Sequence, residues 1–91
     1  MEKNAAVPNV SFGRIKTTSE LGQIIRAFRK SQHLTLEKVS GLSGLGMRFL
    51  SELERGKETA EIGKALEILY KLGLEVIIQP RSYRSNVILG E

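Results

Sequence analysis

Two different apolar periods alternate along this chain, and residues 1–9 show neither. Val10–Lys16 (VSFGRIK) alternates loosely between apolar and polar side chains, the period of a short edge strand, weakened at Gly13. From Leu21 the spacing becomes helical. Leu21, Ile24, Ile25 and Phe28 recur at i, i+3, i+4 and i+7, with Arg26, Arg29 and Lys30 on the remaining surface. Thr17 followed by Glu20 predicts where this helix starts, since the hydroxyl meets an orphan N–H while the carboxylate reaches back to the cap. The helix should end near Gln32. Thr35 is the expected cap of a second helix carrying Leu36, Val39 and Leu42, broken at Ser43-Gly44, where glycine supplies the left-handed backbone of a tight corner. A third helix is predicted from about Gly46 to Arg55 with Gly56 as its stop. A fourth runs from a Thr59 cap to Leu72, with Gly73 beyond it.

The segment Leu34–Lys57 therefore holds a bracing helix, a corner and a second short helix, the parts of a helix-turn-helix. The fourth helix is apolar on more than one stripe: Ile62, Ala65, Leu66, Ile68, Leu69 and Leu72. After it, Leu74–Gln79 (LEVIIQ) reads as a strand closed by Pro80. A lone strand leaves backbone donors and acceptors without partners, so it needs a ladder. Residues 10–16 and 86–89 are the candidates inside the chain, and the same strand of a second subunit is the candidate outside it. The surplus apolar surface of the fourth helix favours the second subunit, with a small intrachain sheet as the alternative. The dimer interface would then use Ile62, Leu66, Leu69, Leu74, Val76 and Ile78. The expected fold is mainly α, a helix-turn-helix bundle with a C-terminal β-strand paired across a homodimer. It divides into an arm at 1–16, a DNA-binding domain at 17–73, a dimerisation strand at 74–80 and a tail at 81–91. That tail is open to three readings: disorder, a further strand through Val87–Leu89, or Arg81 and Arg84 on a phosphate.

Composition narrows the chemistry. Ninety-one residues suit one small domain with a thin core, for which oligomerisation is a natural supplement. The chain has no cysteine, no tryptophan and one histidine, and all its acids are glutamates. No thiolate metal site can be built, and no spacing suggests a nucleophile with its base, a metal set or a phosphate loop. An enzyme is not expected, nor is a cofactor. No stretch approaches the roughly 20 apolar residues of a membrane span, and the N-terminal MEKNAAVPNVSF has no apolar signal core. A soluble, cytoplasmic protein with no membrane partner is expected. The formal charge of +4 permits a nucleic-acid partner without requiring one.

The faces of the third helix are set by its turn of about 100° per residue. Leu50 and Leu53 set the buried direction, Met47 and Glu54 fall on the same broad side, and Phe49 flanks the buried stripe. Arg48, Ser51, Glu52 and Arg55 point outward. In a major groove Arg48 and Ser51 are best placed for base edges, with arginine a bidentate donor to guanine O6 and N7. Arg55, Lys57 and Lys38 suit phosphates, as do the free N–H groups opening the second helix. Glu52 would either accept from cytosine N4 or pair with Arg48 or Arg55. Glu54, facing inward, needs a counter-ion, and Arg29 near the end of the first helix is the candidate.

These residues resemble the lambda-repressor-like helix-turn-helix family, the XRE or Cro/C1 type, whose pattern lines up with Leu34–Lys57 through LTLEKV and SELERGK. In that family an arginine of the first helix pairs with the glutamate before RGK, which implies the same for Arg29 and Glu54. A narrower resemblance, through SFGRIKTTSELGQIIRAFRKSQ, RFLSELERGK and TAEIGKALEILYKLGLEVII, is to HipB-type antitoxins of toxin–antitoxin operons. It implies a homodimer with C-terminal strands paired across the interface. It also implies repression of its own operon on double-stranded operator DNA, and binding of a HipA-like serine/threonine kinase toxin. The chain departs from the XRE pattern in places. Leu36 stands where many members carry a phosphate-contacting glutamine, His33 where a corner glycine is usual, and Ser40 where another small residue is usual. Met47 and Phe49 replace polar residues of the reading helix. Met47 is then a candidate for a thymine methyl, or for packing on neighbouring helices. Two other readings stay open: a stand-alone regulator with no toxin, and a protein-interaction module whose DNA binding has weakened.

Overall fold

The computed structural model describes residues 12–81, and within them four helices succeed one another. They are α1 (Thr18–Ser31), α2 (Leu36–Ser43), α3 (Met47–Glu54) and α4 (Ile62–Leu72). Thr17 and Glu20 close a capping box at the start of α1: Thr17 Oγ1 accepts from the Glu20 N–H at 3.0 Å, and Glu20 Oε1 accepts from the Thr17 N–H at 3.3 Å. Thr35 caps α2 through the Lys38 N–H at 3.0 Å.

Three helices stop in the same way. His33 (φ 61°), Gly56 (φ 86°) and Gly73 (φ 92°) turn left-handed. The next residue's N–H then reaches back to a carbonyl five positions earlier: Leu34 to Arg29, Lys57 to Glu52, Leu74 to Leu69. Leu34 and Leu74 bring an apolar side chain back onto the core at that point.

Ile25, Leu50 and Ile68 are the most deeply buried large side chains, joined by Val39, Leu45, Leu53, Ala65 and Leu69. Every helix thus contributes to one core. The closest approach is between α1 and α3. A Cβ on Gly22 would lie 2.5 Å from the Leu53 and Glu54 carbonyl oxygens, so only glycine fits there. One turn away Thr18 Oγ1 donates to the Gly56 carbonyl at 2.8 Å, clamping the start of α1 to the exit of α3.

The structure corrects the strand expected at 12–16, the cap of α4 and the placement of Leu42 and Met47, and does not bear on pairing of 74–80 with a second subunit. Residues 12–16 form no strand; Phe12 packs instead edge-on against Phe28 of α1, with ring centroids 6.1 Å apart. Residues 10–11 and 86–89 lie outside the described residues, as do the tail positions Arg84 and Val87–Leu89. Residues 74–80 have no ladder partner among the described residues. Thr59 does not cap α4. The chain makes a turn over 57–60, in which the Ala60 N–H meets the Lys57 carbonyl, and α4 opens at Glu61 without a side-chain cap. Leu42, on the helical period of α2, is 72% exposed, whereas Val39 and Leu45 on either side of it are buried. Met47, expected on the inward side, is exposed. Among the described residues no helix is long and apolar enough to cross a membrane.

Candidate nucleic-acid interface

The site is built on a brace. Arg29 and Glu54 are both buried, and they meet in a two-pronged ion pair, Nε to Oε2 at 2.6 Å and Nη2 to Oε1 at 2.9 Å. The third arm of the guanidinium, Nη1, donates to the Leu34 carbonyl at 2.6 Å. One side chain thereby ties α1 to the end of α3 and to the corner that opens α2. A planar fork with fixed donors suits this task better than a flexible ammonium would. No buried side-chain nitrogen or oxygen among the described residues lacks a partner.

With its inner side held, α3 leaves Arg48 and Arg55 exposed with Ser51 and Glu52 half-buried beside them, and the Gly56 turn returns Lys57 to the same face. The Arg48 side chain is 91% exposed. Glu52 lies between two cations: Oε1 accepts from Lys57 Nζ at 2.9 Å and Oε2 from Arg48 Nε at 3.3 Å. Those hydrogen bonds, Lys57 first and then Arg48, hold the Glu52 carboxyl below its ordinary pKa. Arg55, the other candidate partner of Glu52 in the sequence, donates instead from Nη1 to Ser51 Oγ at 2.8 Å. Met47 is exposed at the N-terminal end of α3. Phe49 is half-buried against the core, with Lys64 Nζ 5.8 Å from its ring centroid. Lys38 is exposed in the first turn of α2, outside this cluster.

The six interface candidates separate into two sets. Ile62, Leu66, Val76 and Ile78 are exposed, Ile78 at 93%. Leu69 is buried in the protomer's own core and Leu74 packs half-buried against it, so these two support the surface from beneath. Tyr70 and Ile77 are exposed beside them, and together with Leu66, Leu69, Leu74 and Val76 they line a shallow groove.

Two contributors escape sequence reasoning. Gly22 has one signal, a glycine inside an otherwise regular amphipathic helix, where it costs about 1 kcal/mol against alanine unless packing demands it. Lys71 has none. Its Nζ donates to the Ser43 carbonyl and to Glu67, both at 2.8 Å, so it fastens the end of α4 to the end of α2.

Helix pairs braced in this way, with one short helix offering arginine and hydroxyl groups outward, define a helix-turn-helix DNA-binding protein. The uncharacterized HTH-type transcriptional regulator y4mF of Sinorhizobium fredii (strain NBRC 101917 / NGR234) is 45% identical over 65 residues, covering 71% of this chain and 86% of that relative. A second regulator from the same organism, y4dL, is 30% identical over 64 residues, 70% of this chain and 33% of that protein. Among solved structures, a HipB–O4 20mer complex matches with a TM-score of 0.72 at 17% identity, over 78% of this chain and 100% of that one. A HipA-HipB-O2-O3 complex matches with the same figures. No protein-family model matches the chain. The chain belongs to the HTH-type transcriptional regulators, and its fold is that of the HipB structures.

Proposed function

We propose that this chain is a sequence-specific repressor that binds its operator as a homodimer. In this reading it is the antitoxin of a HipBA-like operon, repressing that operon and binding a HipA-like kinase toxin. The observation that carries the DNA half is the braced α3 with the Arg48 fork free at its outer face. Arg48, Ser51 and Met47 face base edges in this reading, with Glu52 paired to Arg48 beside them, while Arg55, Lys57 and Lys38 meet phosphates. The dimer is supported by the exposed apolar strip of Ile62, Leu66, Val76 and Ile78. The antitoxin role rests on the likeness of fold to HipB, one of whose structures also contains HipA.

A dimeric repressor of this kind needs a two-fold operator with half-sites about one helical turn apart or a multiple of it. In a gel shift, the full chain should retard the duplex upstream of its own gene and ignore a scrambled duplex of equal length. Affinity should fall steeply with salt as phosphate contacts displace counterions. Equal retention of both duplexes would sink the reading. Co-purification of the natively expressed operon tests the toxin: a second polypeptide of kinase sequence is expected. A dimer that binds the operator with no such polypeptide would identify a stand-alone regulator, which the 45% identity to an HTH-type regulator also supports. A dimer holding a partner protein but no duplex at low salt would identify an interaction module.

A further inference from the structure

We infer that Glu52 is a specificity-determining residue that positions Arg48 for base reading and repels non-cognate duplex. This rests on the proposed docking of α3 in the groove. The charges of α3 run against the stability of the helix. Its first turn has no acid and its last turn no base; Arg48 sits near the N-terminus and Glu52 near the C-terminus. The helix dipole disfavours both placements, and an acid preceding a base at i,i+4 would be the stabilising order. Glu54 is explained by Arg29. Glu52 differs: its own side chain is 23% exposed and its partners are not buried cations, the Arg48 side chain being 91% and the Lys57 side chain 46% exposed.

The geometry gives Glu52 a task on the outer face of α3. Its Oε2 takes Arg48 Nε, which is the side edge of the guanidinium. The two terminal nitrogens stay free, and that end-on fork is the pair which matches guanine O6 and N7. Its Oε1 takes Lys57 Nζ, drawn back by the Gly56 turn, whose Lys57 N–H also meets the Glu52 carbonyl at 3.0 Å. One carboxylate therefore offsets one of two cations where phosphates would otherwise bind any sequence. The cost to non-specific binding exceeds the cost at the cognate site, where Arg48 is held ready.

The test compares the full-length wild type with Glu52→Gln by fluorescence anisotropy. Two duplexes, the sequence upstream of the gene and its scrambled control, are titrated across a salt series. Glu52→Gln should bind the scrambled duplex about tenfold more tightly and lose roughly five- to a hundredfold of discrimination. The salt slope should steepen by up to about one unit. In an Arg48→Ala background, Glu52→Gln should tighten both duplexes alike and leave their ratio unchanged, because Glu52 selects through Arg48. Thermal unfolding should stay within about a degree or two of wild type, separating positioning from folding. A Glu52→Gln protein that keeps the wild-type ratio overturns the inference. A wild type that cannot tell the two duplexes apart overturns the repressor reading itself, and the inference with it.

Discussion

Arg29 carries three donor groups into the interior of the bundle, and each meets an acceptor: two on Glu54 and one on the Leu34 carbonyl. That complete pairing is what makes a buried charge tolerable in so small a core. Removing one partner is therefore worse than removing both. Glu54→Ala should cost about 3–5 kcal/mol in urea unfolding, a large share of the stability of a small domain, because it strands the guanidinium. The paired exchange of Arg29→Met with Glu54→Leu should cost much less, or stabilise. A Glu54→Ala loss below about 1 kcal/mol would mean that water reaches Arg29. At this scale the pair is legible from residue types and the angle around α3 alone. Its third contact is not, since the Leu34 carbonyl takes up its position only once His33 turns left-handed. The need for glycine at position 22 is equally hidden, because it comes from backbone oxygens of α3 that no local pattern encodes.

Helix starts with a hydroxyl cap are readable because the cap, the acceptor and the periodic residues lie within a few positions of one another, as at Thr17 and Thr35. Where the start is set by a preceding turn, as at α4, the threonine at 59 is misleading: the 57–60 turn leaves Glu61 as the boundary. The return of Lys57 onto the outer face of α3 has the same origin, because periodicity ends at Arg55 and the left-handed Gly56 redirects the chain beyond it. In the proposed docking, direct reading falls to α3 and phosphate anchoring to the turn that follows it. Arg48→Ala should remove about 1–3 kcal/mol of discrimination against a changed guanine, relaxing specificity more than it weakens non-specific binding. Lys57→Ala should weaken cognate and scrambled duplexes alike and lower the salt slope by about one unit. If the two substitutions exchanged these signatures in anisotropy titrations, α3 would enter the groove by its C-terminal end instead.

At the scale of the whole molecule, the described residues leave a run of large apolar side chains exposed along α4 and the segment after it. α4 turns Ala65, Ile68 and Leu69 inward, yet leaves Ile62 75% and Leu66 47% exposed, and Val76, Ile77 and Ile78 come next in a segment without a ladder partner among the described residues. Apolar side chains beside free backbone groups are what an edge-to-edge pairing of two copies would bury. A two-fold interface would also set two α3 helices at a fixed spacing, which a palindromic operator requires. Val76→Pro isolates this seam from the core. Residue 76 is exposed and its N–H bonds to nothing in the described protomer, so proline there removes a ladder donor and leaves the four helices alone. Light scattering should give twice the protomer mass for wild type and a shift toward the protomer for Val76→Pro, with helical circular dichroism unchanged. Operator affinity should fall by orders of magnitude with it, because each half-site is then held singly and the second contact is no longer intramolecular. A Val76→Pro protein that stays dimeric would place the seam on the Ile62–Leu66 face of α4 instead, and Leu66→Glu should then be the substitution that separates the subunits.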